Sequence, residues 1–225
     1  KYTNNSFLAT KISFINQISN ICQSVPEANV EDVARAIGLD PRIGPLFLNA
    51  GPGYGGSCLP KDVKAIINFS NKIGIKPVLL DAVEAVNRHQ LEHLLTTTRK
   101  AVGSLRGKQI TVLGLAFKPD TDDIRDSVSI KLIKSLLRSG VKVKAHDPKA
   151  IENTRRIFGD KVEYFNSTRD ALKNSHCGII MTNWEVYSKI NNQDIQVMRK
   201  NIIIDTRRIL HKHDLHLRYY PIGIG

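Results

Sequence analysis

The residues best equipped for chemistry lie in the stretch AGPGYGGSCLPKDVKAI, positions 50 to 66. Four glycines among six residues, Gly51, Gly53, Gly55 and Gly56, open onto a single cysteine, Cys58. Such a loop takes positive φ without strain and lets a ligand come close to the main chain. Pro60 and the apolar spacing Val63, Ile66, Ile67 predict a helix running to about residue 73, with Cys58 at or next to its N-cap. At that place the unpaired N–H groups and the helix dipole favour an anion, and a thiol loses its proton more easily. Lys61 adds a positive charge to the same turn. Asp62, four residues after the cysteine, falls about one turn along the same face, where it can hold a water or a proton near the sulfur. A nucleophile, a cation and a carboxylate share one helix end, which is the equipment of nucleophilic catalysis.

A lone cysteine also serves as a small buried hydrophobe. The neighbours of Cys58 are Gly, Ser, Pro, Lys and Asp, a poor lining for an apolar core, so chemistry is the better reading there. Cys22 and Cys177 sit in apolar runs and read as core residues. Three scattered cysteines form neither a CxxC pair nor an even disulfide framework, which points to a reducing compartment, the cytoplasm.

The elements that must position this loop are helical. From residue 1 to 24, Phe7, Leu8, Ile12, Phe14, Ile15, Ile18 and Ile21 recur at intervals of three and four, predicting a buried amphipathic helix. A short helix follows from Val30 to Ile37, closed by Gly38 at C′. After the loop, Pro77 starts a helix to residue 102, on the order of 39 Å long at 1.5 Å per residue. Leu79, Ala82, Val86, Leu91, Leu94, Leu95 and Val102 cover so much of its circumference that it reads as a spine, buried against its own domain and against a second subunit.

At Arg106 and Gly107 the period changes. Apolar runs at 108–116, 141–145, 162–165, 177–182 and 201–205 alternate with helical stretches at 127–138, 150–158, 168–174 and 192–200. That alternation predicts βαβ units and a parallel sheet covered by helices on both faces, with ligands bound beyond the carboxyl ends of the strands. The first such loop, GLAFKPDTDDIRDS, begins with Gly114 but does not complete GxGxxG. Lys118 and Arg125 lie where a phosphate would sit, and the aspartates at 120, 122, 123 and 126 can serve as helix caps around Ser127. Arg207 and Arg208 stand at another strand's carboxyl end, as ligand contacts or as a solvated turn. His211, His213 and His216 follow no zinc-binding spacing, and no metal is expected.

The chain has 225 residues and a net charge of +12, with lysines and arginines spread along it and not massed in one tract. This suits phosphate ligands as well as nucleic acid, and no recognition module or aromatic-rich basic strip supports the nucleic-acid alternative. No run is apolar enough to span a membrane. The sequence opens on Lys1, inside a predicted helix, and reads as a piece of a longer chain.

GYGGSCLPKD, DPRIG, the opening KYTNNSFLATKISFINQI and GLAFKPDTDDIRDS together resemble the UDP-glucose/GDP-mannose dehydrogenase family over nearly the whole chain. The resemblance implies an α/β protein: an all-helical central dimerisation domain with a long spine helix, residues 1–104, then a Rossmann-like parallel-sheet domain binding the UDP-sugar, residues 105–225. The family's N-terminal Rossmann domain, with its GxGxxG, is not in these residues. The implied reaction oxidises C6 of the sugar twice, using NAD, through a thiohemiacetal and a thioester on Cys58, with Asp62 assisting hydrolysis. Lys1 and Asn5 match a lysine and an asparagine that stabilise the reacting oxygen. Phe47, Leu48, Tyr54, Gly55 and Gly56 match the segment holding uridine and sugar, and Arg42 an arginine reaching the partner's substrate across a homodimer. Lys118 and one of Arg207 or Arg208 match sugar-nucleotide contacts, and Arg125 a contact to the NAD pyrophosphate. SCLPKD with DPRIG leans toward UDP-glucose, with GDP-mannose or UDP-N-acetylmannosamine as the alternatives. A stand-alone nucleotide-sugar-binding dimerisation module without catalysis is the further alternative.

Overall fold

A computed structural model describes residues 1–210 and 215–225. The chain forms two compact units, one of Lys1–His93 with Ile222–Gly225 and one of Leu94–Pro221. The division falls inside the long helix, whereas the domain boundary expected from the sequence lies between residues 104 and 105. The last four residues return to the first unit, where Gly223 O accepts from Val30 N and Gly225 N donates to Ala28 O.

The first unit is helical: α1 Tyr2–Cys22, α2 Val30–Gly38, α3 Leu59–Lys72 and the start of α4 Val78–Val102. The expected apolar stripe on α1 is only partly its buried face: Ile15 is buried and Ile12 and Ile18 pack against core clusters. That face is Ser6, Ala9, Ser13, Ile15, Asn16, Ser19 and Cys22, while Phe7, Phe14 and Ile21, seven residues apart, are more than half exposed. Small side chains let neighbouring backbone come close, and Ser13 Oγ donates to Val83 O at 3.1 Å. On α4 the apolar girdle is only partly covered: Leu94 and Val102 are buried, but Val78 and Leu79 in the first turn are 64% and 65% exposed. Helix α2 also ends differently. Gly38 belongs to the helix and Leu39 caps it in a right-handed conformation. A Cβ on Gly38 would stand 3.1 Å from Pro45 Cα, so close contact, and not a left-handed turn, suits glycine there.

The second unit is a doubly wound α/β sheet. Strands β1 Gln109–Leu113, β2 Lys142–His146, β3 Val162–Tyr164, β4 Cys177–Ile180, β5 Ile202–Asp205 and β6 Arg218–Pro221 are all parallel, in the order β3-β2-β1-β4-β5-β6. The helices α5 Val128–Arg138, α6 Ile151–Phe158, α7 Thr168–Leu172, α8 Glu185–Ser188 and α9 Asn192–Gln196 lie between them. The central strands β1, β4 and β5 are buried almost throughout, as a sheet covered on both faces requires. Ser127 caps α5 by accepting from Ser129 N, in keeping with the expected start of that helix. β6 and α8 lie outside the runs the sequence pattern marks, and α9 stops short of residue 200. β6 is an edge strand of sequence RYYP with no buried alternation, ordered by its ladder to β5. Among the described residues no helix is long and apolar enough to cross a membrane.

Candidate active site

In the first unit the glycine loop delivers Cys58 to the N-cap of α3, with proline in the first turn behind it. Cys58 is exposed while Cys22 and Cys177 are buried. Burial pushes the Cys177 thiol up to about 12, which makes it inert at neutral pH. Asp62 is fully buried one turn into α3. Its Oδ2 accepts from Asn5 Nδ2 at 2.6 Å, and its Oδ1, without a hydrogen-bond partner, faces Lys61 Nζ at 3.7 Å. Of the four expected reaction groups, Asn5 and Asp62 are hydrogen-bonded, and Cys58 stands one helical turn before Asp62. Lys1 lies one turn before Asn5 on α1, exposed, and among the described residues no hydrogen bond or ion pair joins its ammonium to Asp62 or Cys58.

The loop itself hangs on amide side chains that sequence reasoning did not single out. Asn16 Oδ1 accepts from Gly51 N at 2.8 Å. Asn87 of α4 accepts from Tyr54 N at 2.8 Å and donates to Tyr54 O at 3.2 Å. Gly56, with φ of +86°, completes the turn toward Cys58, while Gly55 stays half-exposed beside it. Tyr54 does not offer its ring to a ligand. It is 4% exposed, packs with Ala9, Val63 and Val83, and donates its hydroxyl to Glu84. Burial, and then Glu84, push that hydroxyl well above its usual range, so it stays a donor. Leu48 likewise belongs to the core with Ile15, Cys22, Val30 and Ala50, leaving only its backbone for a ligand. An aromatic or apolar residue in a ligand-binding pattern looks the same in sequence whether it points outward or inward. Phe47 is exposed in a left-handed conformation, φ 65°. Arg42 is exposed and forks onto Asp40, whose carboxyl it holds below the usual carboxylate range.

In the second unit the strand order reverses between β1 and β4, so the loops after these strands flank the crevice where ligands of such sheets bind. Lys118 is exposed in the first loop, its ammonium 5.7 Å from the Phe117 ring. The second loop is drawn onto the first: Thr182 Oγ1 donates to Ala116 O at 2.7 Å, and a Cβ on Gly114 would stand 2.6 Å from Thr182. Arg207 turns back to donate from Nε to Met181 O at 2.8 Å. Burial and the neighbouring Arg208 lower it to about 10, so it remains a cation at neutral pH. Arg208 takes a left-handed conformation, φ 55°. The two arginines therefore sit at one strand end in different settings, Arg207 fixed beside β4.

The turn after β1 is closed to a dinucleotide. Leu115 N and Ala116 N, the donors a pyrophosphate would need, donate to Asp147. Arg125 is exposed and clasped by Asp123, in an open depression that also presents Asp122. These residues do not form a NAD site by themselves, and Arg125 offers one point of contact. Among the described residues no group of three or more His, Cys, Asp or Glu is placed to hold a metal ion. His211 and His213 lie outside the described residues, and His216 is exposed, with its N–H donating to Asn192.

Comparison with known proteins agrees with both halves. The model for the central domain of the UDP-glucose/GDP-mannose dehydrogenase family matches residues 1–89, and the model for that family's UDP binding domain matches residues 111–212. The chain is 45% identical over 214 residues to the UDP-glucose 6-dehydrogenase AglM of Haloferax volcanii, covering 95% of this chain and 49% of that protein. It is 40% identical over 227 residues to TuaD of Bacillus subtilis, also a UDP-glucose 6-dehydrogenase, covering 99% and 49%. A UDP-glucose dehydrogenase structure from Pyrobaculum islandicum superposes with a TM-score of 0.92 at 35% identity, over all of this chain and 50% of that one. The chain spans about half the length of the curated relatives it matches. With the helical unit and the sheet unit matched in turn, the chain belongs to the UDP-glucose/GDP-mannose dehydrogenase family.

Proposed function

We propose that this chain is the central and UDP-sugar-binding part of a UDP-glucose 6-dehydrogenase, which oxidises UDP-glucose to UDP-glucuronate in two steps. The observation that carries the reading is the helix end at Cys58: an exposed thiol at the N-cap of α3, with a buried carboxylate one turn behind it held by Asn5. When bound, NAD would supply the acceptor for hydride from C6, with Arg125 as a contact to its pyrophosphate. This chain's own part is to bind, add and hydrolyse. The Cys58 thiolate adds to the C6 aldehyde, and the oxyanion so formed is stabilised by Asn5 and Lys1. After oxidation to the thioester, water attacks the carbonyl carbon, Asp62 takes its proton, and the thiolate leaves. The sheet unit contributes Lys118 and one of Arg207 and Arg208 as cationic contacts to the sugar nucleotide. The +12 net charge supports this, since that unit holds twenty-four Lys and Arg against thirteen Asp and Glu.

A homodimer belongs to the same reading. Its support is exposed apolar surface on α4, at Val78 and Leu79, and a larger set on α1 at Phe7, Phe14 and Ile21. Sedimentation at micromolar concentration is expected to show a dimer, and a monomer would remove the cross-subunit role of Arg42.

The test of substrate and nucleophile is one titration. UDP-glucose is expected to bind this chain more tightly than GDP-mannose or UDP-N-acetylmannosamine, and to protect Cys58 from iodoacetamide. Cys58 should react well before Cys22 and Cys177. Equal alkylation of all three cysteines, or no protection by any of the three sugar nucleotides, sinks the reading.

A further inference from the structure

Nothing in the reaction as read assigns a role to Asn87 or Glu84, one turn apart on α4, yet both grip the loop that carries Cys58. Asn87 meets the backbone of Tyr54 twice, accepting from its N–H at 2.8 Å and donating to its C=O at 3.2 Å. A primary amide can both donate to a carbonyl and accept from an N–H; a carboxylate can only accept, and an aliphatic side chain can do neither. The fit is tight on the other side too. Gly53 has φ of +114°, and a Cβ there would stand 2.7 Å from Asn87 Oδ1. Glu84 takes the Tyr54 hydroxyl, so the residue four positions before Cys58 is fixed through main chain and side chain alike. Asn16 holds the loop's entry at Gly51. Between Tyr54 and Cys58 only Gly55, Gly56 and Ser57 intervene. Two of the three are glycines, so without an outside anchor this segment has little to fix its course.

We propose that Asn87, assisted by Glu84, is a positioning residue for the nucleophile: its amide, paired with the Tyr54 peptide, sets where the Cys58 sulfur stands at the end of α3. The proposal rests on the reading of Cys58 as nucleophile. A displacement of about 1 Å at a reacting atom costs on the order of a hundredfold in rate, so the anchor acts on turnover more than on substrate binding.

The exposed Cys58 can be marked with a trifluoromethyl ketone reagent while Cys22 and Cys177 are buried. Its ¹⁹F resonance in this chain is expected to be single in the parent and split or broadened in Asn87→Leu. Asn87→Asp, which keeps the acceptor for Tyr54 N–H and loses the donor for its carbonyl, should fall between. In the complete dehydrogenase, Asn87→Leu should lower kcat per folded molecule about ten- to a hundredfold, with KM for the sugar nucleotide within about threefold. A sharp, unshifted resonance in Asn87→Leu overturns the proposal whatever the turnover. So does a broadened resonance with kcat per folded molecule at the parent value. If Asn87→Leu does not fold, Asn87→Asp decides by the same two criteria. A complete parent enzyme that turns over no sugar nucleotide would refute the nucleophile reading, and the resonance would still decide whether Asn87 sets the loop.

Discussion

In the helical unit, the backbone of the loop ending at Cys58 is held by neutral amides, Asn16 on Gly51 and Asn87 on Tyr54, while Glu84 takes only the Tyr54 hydroxyl and Asn5 holds Asp62 beyond the loop. In the sheet unit, the loops after β2 and β5 are held by buried carboxylates. Asp147 accepts from the N–H groups of Leu115, Ala116, Lys149 and Ala150 and from Trp184 Nε1. Asp205 accepts from the N–H groups of Arg207, Arg208, Ile209 and Leu210 and from the Tyr219 hydroxyl. A carboxylate has two oxygens that only accept, so it gathers many donors but brings a charge with it. That charge is tolerable where cations exceed anions, as in the sheet unit. The helical unit has nine Lys and Arg against eight Asp and Glu. There, amides fix the loop backbone without placing further negative charge at those points.

Exchanging the two kinds of anchor tests this contrast. Asp147→Asn and Asp205→Asn are expected to cost the most, roughly 3 kcal/mol or more of stability in the sheet unit, because the new NH₂ would face donors it cannot satisfy. Urea denaturation measures it, and a loss below about 1 kcal/mol would dissolve the distinction. Asn16→Asp should cost about 2 kcal/mol at neutral pH, since it buries a charge with one N–H donor. A buried carboxyl titrates above its unfolded value, so that penalty should shrink as pH falls through the raised pKa. A penalty unchanged between about pH 8 and pH 4.5 would contradict the charge argument.

A smaller effect separates the two units by pH. Burial lowers the His146 imidazole, and burial with the nearby Lys108 and Arg199 lowers His176, both in the sheet unit. His146 is held by the Tyr187 hydroxyl, which donates to the His146 carbonyl and so leaves Nδ1 as the donor between ring and hydroxyl. In the fold both rings stay neutral below the unfolded value near 6.5, so the unfolded chain binds more protons in that window. Stability should therefore fall with pH below about 6.5, by at most about 1.4 kcal/mol per pH unit for each histidine. Thermal unfolding followed by the fluorescence of buried Trp184 reports it, and His146→Gln should flatten the slope. A transition independent of pH from about 7 to 5.5 would contradict it. Tyr54→Phe should have the smallest effect, about 1 kcal/mol for the bond to Glu84. Urea denaturation should locate that loss in the helical unit, and a loss in the sheet unit would contradict it.

Cys58 at the head of α3, the alternation of strands and helices in the second half of the chain, and the cap at Ser127 follow from residues a few positions apart. Turn, cap and period are local energies, so the sequence by itself determined them, and with them the α/β class and the place of the thiol. The tertiary structure decided what depends on partners far along the chain. The bonds of Asn87 to Tyr54, Asn16 to Gly51 and Leu115 to Asp147 join residues more than thirty positions apart, and no pattern in either segment announces the other. It also decided directions. Tyr54 and Leu48 turned into the core, where burying apolar area outweighs any unfilled ligand contact. On α1 small side chains share the inward face with Ile15 while Phe7, Phe14 and Ile21 stay outward, because close approach of backbone favours small side chains over those with the greatest transfer energy. The edge strand β6 has no alternation of its own, and its ladder to β5 alone makes it a strand.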